Sequence, residues 1–164
     1  MEQAYTFRRI IMEEVPQMFA LIRQRMQWMD AQDIQQWNVA HYDEIYPLSY
    51  YEDECRQGRL YVLARGGEVV CGAVLLKQDE RWPDDAPAYY IHNLASKEGV
   101  PGAGAAFLRE TAQLARAAGK QYLRLDSAER NEALARYYAA QGFQPAGTCQ
   151  EGGYHGVLRQ KALF

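Results

Sequence analysis

Apolar and polar positions alternate along this chain in two periods, and together they lay out most of its elements. Val15, Met18, Phe19, Ile22, Met26 and Met29 recur at helical spacing and predict one amphipathic helix, its methionines serving as core rather than as ligand groups. Ala4–Ile10 reads as a strand before it. Leu60–Arg65 and Val69–Lys77 read as strands joined through Gly66-Gly67-Glu68, a β-hairpin pattern. Asp79–Pro87, DERWPDDAP, is a turn or loop, and Ala88–Ala95, AYYIHNLA, is the strongest strand candidate. A glycine-rich stretch then opens a helix running to about Ala118. Its buried stripe is Leu108, Thr111, Ala112, Ala115 and Ala118, and Gly119 suits its stop. Tyr122–Asp126 predicts a strand, Asn131–Gln141 a helix ended by Gly142, and Phe143–Cys149 and Tyr154–Leu163 two closing strands. Asp30–Tyr51 is irregular and aromatic, with a short helix expected over Val39–Ile45 and a stop at Pro47. No repeat, linker or low-complexity tract interrupts the pattern, so a single domain over residues 1–164 is expected.

Composition narrows the class. The 164 residues are 48% apolar and 24% charged, which suits a globular domain with a core of its own. The 12 tyrosines fit either an aromatic-lined cleft or strand residues with wet hydroxyls. Cys55, Cys71 and Cys149 are far apart and form no metal-binding spacing, as expected of reduced thiols in a cytoplasmic protein; no metal site is expected. The opening residues lack a signal-peptide pattern, and no run is long enough to cross a membrane. Residues 1–85 hold nine Lys and Arg against fifteen Asp and Glu, whereas residues 86–164 hold nine against six. The basic half carries the glycines. That suits a polyanionic cofactor there and a cationic partner on the acidic half, although surface charge also drifts in this way without function. No basic run points to nucleic acid.

The glycine stretch is Gly99-Val100-Pro101-Gly102-Ala103-Gly104-Ala105-Ala106-Phe107-Leu108. Gly102 and Gly104 let the backbone approach a ligand closely, Pro101 stiffens the entry, and the following helix offers unpaired N–H donors and the positive end of its dipole. A pyrophosphate is the natural guest of such a loop. A dinucleotide or S-adenosylmethionine is one option, since Asp126 lies about twenty residues on, where a ribose-binding acid would sit. Against it, such fingerprints open the first βαβ unit, and here several strands precede the loop.

The stretch Asn131–Phe143, NEALARYYAAQGF, weighs toward another cofactor. Asn131, Tyr138, Gly142 and Phe143 stand at the spacing of the GNAT family of acetyl-coenzyme A-dependent N-acetyltransferases, and the chain from Tyr89 to Phe143 resembles that family. More weakly, Gln36-Trp37 and Tyr46-Pro47 look like the acceptor side of some small bacterial members. The resemblance implies an α/β (α+β) GNAT fold: a central mixed, mostly antiparallel twisted sheet flanked by helices on both faces. It implies acetyl transfer from acetyl-coenzyme A to a primary amine of a small molecule or peptide, and a homodimer by analogy. A non-catalytic acyl-coenzyme A-binding module on the same fold is the rival. One departure stands out: Gly99 occupies the position where the family's loop usually carries Gln or Arg.

The resemblance also assigns roles. The backbone of Asn93, Leu94, Ala95 and Ser96 would bind the pantetheine arm, with an N–H near Leu94 facing the thioester oxygen. Gly99, Val100, Pro101, Gly102, Ala103, Gly104 and Ala105 would hold the pyrophosphate. Asn131 would either bond the cofactor arm or cap its helix. Tyr138 matches the general acid. A tyrosine pKa of about 10 against about 8.5 for a thiol makes full proton transfer mildly uphill, so hydrogen bonding to the departing sulfur is the other form of that role. A core tyrosine is the plain alternative. His92, on the key strand and of a type that titrates near neutral pH, is either the base or a buried structural histidine. Trp37 and Tyr46 either line the acceptor pocket or pack in the core.

Overall fold

The computed structural model describes residues 4–34, 36–38 and 40–164. The elements follow in chain order: β1 (Tyr5–Arg9), a 3₁₀ turn (Met12–Glu14), α1 (Val15–Ala31), α2 (Tyr42–Ile45), α3 (Leu48–Arg56), β2 (Leu60–Arg65), β3 (Glu68–Leu76), β4 (Ala88–Ser96), α4 (Ala103–Ala117), β5 (Tyr122–Ala128), α5 (Glu132–Ala140), β6 (Gln144–Glu151) and β7 (Tyr154–Ala162). The strands form a seven-stranded sheet in the order β1-β2-β3-β4-β5-β7-β6. The β1–β2, β2–β3, β5–β7 and β6–β7 ladders are antiparallel and β4–β5 is parallel, as expected of a mixed, mostly antiparallel sheet. The chain folds as two compact units. One comprises the chain up to Leu75 with Asn93–Phe107, the other Leu76–His92 with Leu108–Phe164.

In the first unit, Gly66 and Gly67 turn β2 into β3 with φ of 59° and 81°, the paired positive values that a two-residue hairpin demands. Helix α1 buries Val15, Met18, Leu21, Ile22 and Met29. It lies close on β3, where a side chain at Gly72 would collide with the Met18 sulfur. The region expected to be irregular holds a helix, α3. The short helix ends before Pro47, as expected, but Pro47 is also the N-cap of α3, where a fixed φ and a missing N–H cost nothing. Of the short helix expected over Val39–Ile45, Val39 lies outside the described residues, and the helix begins at Tyr42.

Glu14 is buried at the start of α1 and accepts two hydrogen bonds of 2.8 Å from Arg8. These bonds, helped by the Ile11 N–H, hold its carboxyl below the ordinary value near 4.5 despite burial. A depressed carboxylate stabilises the fold above its unfolded value and loses that contribution as pH falls through its folded value. Glu14→Gln is therefore expected to cost about 1–2 kcal/mol at pH 7, the partly exposed Arg8 keeping the figure low. In urea titrations the difference from the parent should shrink below pH 4.5 and vanish in stronger acid.

In the second unit, β5 and β7 pair over seven positions from Tyr122–Ala162 to Ala128–Gly156. Arg124 of β5 is buried, with its guanidinium 4.2 Å over the Trp82 ring and donating to Asp84 at 2.7 Å and to the Tyr90 hydroxyl at 3.1 Å. A buried cation needs both charge and hydrogen-bond partners, and here they fasten the loop between β3 and β4. Ala118, expected in the stripe of α4, is exposed; the helix has already ended at Ala117.

Candidate active site

In the first unit the glycine loop follows β4 and runs into α4. Gly99 and Gly102 both have φ of 82°, left-handed backbone that glycine adopts without strain. Nothing lies within 4 Å of where a Cβ would stand at either. Helix α4 then opens on Ala103-Gly104-Ala105-Ala106; Ala103 N–H donates to Val100 O at 3.3 Å and Ala106 N–H to Gly102 O at 2.9 Å, which leaves the N–H groups of the small residues Gly104 and Ala105 without an acceptor one turn earlier in the helix. An open loop of this curvature at a helix N-terminus fits a pyrophosphate. Gly99, at the position where the resemblance expects Gln or Arg, sits in a conformation that resists a side chain. Ser96 is engaged from α1: Arg25 donates to its carbonyl at 3.0 Å and to its hydroxyl at 3.2 Å.

Asn93 is the strained residue of β4. Its φ is 59°, a left-handed value that asparagine tolerates better than most residues. Its buried side chain is fixed from both ends: Nδ2 donates to the Tyr42 hydroxyl at 2.6 Å, and the Tyr50 hydroxyl donates to Oδ1 at 2.9 Å. Tyr42 also belongs to an aromatic ladder. Trp37 stacks on it at 4.3 Å, Tyr46 follows at 4.9 Å, and Tyr50 lies 4.8 Å from Tyr46. Burial pushes the hydroxyls of Tyr42, Tyr50 and Tyr51 up, so they stay neutral at physiological pH. The first unit thus gathers Trp37, Tyr46 and Asn93 into one cluster.

The second unit holds His92, Asn131 and Tyr138. Ala88–Tyr90 of β4 pair with Tyr122–Arg124 of β5, and β5 then continues along β7 to Ala128. His92 Nε2 lies 2.8 Å from Asp79 Oδ2, at the wall of a cleft of about 560 Å³ also lined by Leu76, Arg81, Cys149 and Glu151. Asn131 caps α5, its Oδ1 accepting from the Leu134 N–H at 3.0 Å, which is the capping alternative for that residue. At the other end of α5 the motif has a physical explanation. Gly142, φ 93°, donates to Ala139 O, and Phe143 N–H donates to Tyr138 O at 3.0 Å, the two bonds of a Schellman stop. The stop folds Phe143 under Tyr138, ring edge to ring face at 5.7 Å, and Tyr138 is 8% exposed.

The model of the acetyltransferase (GNAT) family matches residues 22–143. The chain belongs to the GNAT acetyltransferase family. That family's acyl donor is acetyl-coenzyme A. No curated protein matches the chain significantly in sequence. Among solved structures, it is similar to a GNAT-family acetyltransferase from Streptococcus agalactiae, with TM-score 0.79, 20% identity, and 99% of this chain and 97% of that one covered. It is also similar to the PaiA N-acetyltransferase of Thermoplasma acidophilum in complex with coenzyme A, with TM-score 0.77, 14% identity and coverage of 97% and 99%. A third is a ribosomal-protein-alanine N-acetyltransferase from Brucella melitensis, with TM-score 0.69, 20% identity and coverage of 96% and 99%. At these identities the likeness shows the fold.

The dinucleotide option loses its acid as well. Asp126 accepts from Arg81 at 3.2 Å and from the Tyr154 hydroxyl at 2.6 Å, so its carboxylate is already engaged. Sequence reasoning missed Asp79, Tyr42 and Tyr50. The tyrosines carried a signal in their spacing of four, at 42, 46 and 50; Asp79 carried none. No described helix is long and apolar enough to cross a membrane.

Proposed function

We propose that residues 1–164 form one N-acetyltransferase domain that moves an acetyl group from acetyl-coenzyme A to a primary amine of a small molecule or peptide, by direct attack of the amine. The observation that carries this reading is the open glycine loop with two left-handed residues at the head of α4, in a member of this family. When bound, acetyl-coenzyme A supplies an activated thioester. The backbone of Asn93–Ser96 would hold its pantetheine arm, residues 99–105 its pyrophosphate, and Asn131 and Tyr138 the remainder. Leu94 N–H is the proposed donor to the acyl oxygen. His92 takes the proton of the incoming ammonium, and the Tyr138 hydroxyl donates to the departing sulfur. Trp37 and Tyr46 receive the acceptor.

Direct attack, rather than relay through an acyl-cysteine, is supported by the thiols. Burial pushes Cys55, Cys71 and Cys149 all upward, Cys71 to about 12, so none is a thiolate at neutral pH. A second reading, a non-catalytic acyl-coenzyme A-binding module, is favoured by Gly99 alone, which lacks the family's usual loop side chain and whose left-handed φ of 82° disfavours one. Calorimetric titration with acetyl-coenzyme A, S-adenosylmethionine and NAD tests the ligand choice. Selective binding of acetyl-coenzyme A is expected; no binding would leave the fold without its cofactor and sink both readings.

A further inference from the structure

We propose that Asp79 is the positioning residue of the base, orienting His92 so that its Nδ1 lone pair, and not Nε2, takes the proton of the acceptor ammonium. The inference rests on the reading of His92 as base. An ionised carboxylate only accepts, so the 2.8 Å contact to Asp79 Oδ2 requires the hydrogen on Nε2 and leaves Nδ1 with the lone pair. Asp79 is ionised. Burial pushes its carboxyl up, but the His92 hydrogen bond, the Arg81 N–H and the neighbouring positive charge outweigh burial and hold it below its ordinary value.

Asp79 is itself held in place. Its Oδ1 accepts from the Arg81 N–H at 3.0 Å, and the Arg81 guanidinium is bound to Asp126 at 3.2 Å and to Glu151 at 2.7 Å. Farther along the same loop, Arg124 bonds Asp84 and stacks on Trp82. A carboxylate pinned on both sides and set against an imidazole in a cleft wall has the arrangement of an orienting group. The His92 side chain is 17% exposed, enough for a proton to reach it from the cleft. In the step itself one N–H bond of the ammonium breaks and an Nδ1–H bond forms. The imidazolium then faces Asp79, and the proton passes on to solvent in the cleft. The charged and titratable groups around His92 are Asp79, Glu80 and Arg81 from the loop, Cys149 and Glu151 from β6, and, behind Arg81, Asp126 of β5 and Tyr154 of β7. Cys149 and Tyr154 are held neutral by burial, so Asp79 is the anion in direct contact with His92.

The test reads the imidazole nitrogens by long-range ¹H–¹⁵N correlation in the full chain, with His41 and His155 as internal references. His92 is expected as the Nε2–H tautomer at pH 8. In Asp79→Asn the preference for that tautomer is expected to weaken, because an amide can donate as well as accept at this contact. Turnover is read with acetyl-coenzyme A and three probe amines: n-butylamine, spermidine and an alanine-initiated hexapeptide. Asp79→Asn should lower it about tenfold. An Nδ1–H tautomer at pH 8 overturns the proposal. So does an Asp79→Asn protein with the parent's tautomer and turnover when His92→Gln has lost turnover. A His92→Gln protein that keeps the parent's turnover overturns instead the reading of His92 as base, and the proposal with it.

Discussion

Tyr138→Phe is expected to lower kcat about 100-fold while leaving the fold and coenzyme A binding in place. The phenolic oxygen is the only heavy atom lost, and the ring keeps its packing on Phe143 at the Schellman stop of α5. Loss of one hydroxyl contact costs stability about 1 kcal/mol, so Tm should move by a few degrees at most. Rate should respond far more, because the hydroxyl acts only as negative charge grows on the leaving sulfur. Proton transfer from a group of pKa about 10 to a thiolate of about 8.5 is uphill by roughly 2 kcal/mol, whereas a charge-assisted hydrogen bond is worth about 1.5–3 kcal/mol. The size of the fall separates the two forms of the role. About 100-fold is what a hydrogen bond accounts for; a loss well above 1,000-fold would mean full acid catalysis. Unchanged kcat in a folded, coenzyme A-binding variant would remove Tyr138 from the chemistry.

The second large effect is expected at the head of α4. Gly104→Asp should raise the coenzyme A Kd about 100-fold, equivalent to about 2.7 kcal/mol, and should not destabilise the protein. The two outcomes run in opposite directions for one reason. A carboxylate in the first turn of a helix interacts favourably with the dipole by about 0.3–1 kcal/mol, and replacing glycine inside a helix adds a little more. The same carboxylate occupies the field that would hold the pyrophosphate and repels it. Gly104→Ala, which adds bulk without charge, should bind coenzyme A within a few-fold of the parent. Calorimetry paired with thermal unfolding reads both effects. A Gly104→Asp protein that binds as tightly as the parent would place the pyrophosphate elsewhere.

The parts of this molecule legible in its sequence are those where backbone geometry dictates a residue type. Gly66-Gly67, Gly99, Gly102 and Gly142 all stand at positive φ, and each marks a turn, a loop or a helix end. The spacing from Tyr138 to Gly142 and Phe143 is that of a capping motif, so it stays visible in the chain. Helix α3 was hidden because proline has two meanings. It forbids the interior of a helix and suits its start, and Pro47 holds the second position. The contacts between side chains far apart in sequence left the least trace. Asp79 meets His92 across 13 residues, and Tyr42 and Tyr50 meet Asn93 across 51 and 43. No periodicity links such pairs; they exist because the sheet brings the strand and those segments to one place. The left-handed turn at Asn93 was equally silent, since asparagine occurs at ordinary strand positions as well.

The most direct test of the account is product formation: the purified chain, acetyl-coenzyme A and the three probe amines, with free coenzyme A thiol and acetylated amine followed together by mass spectrometry. The account predicts that thiol and N-acetyl product appear in equal amounts, and that Tyr138→Phe slows both alike. Tight binding of acetyl-coenzyme A, with no thiol released above the enzyme-free blank for any of the amines, would contradict it and make the chain a binding module on a transferase fold.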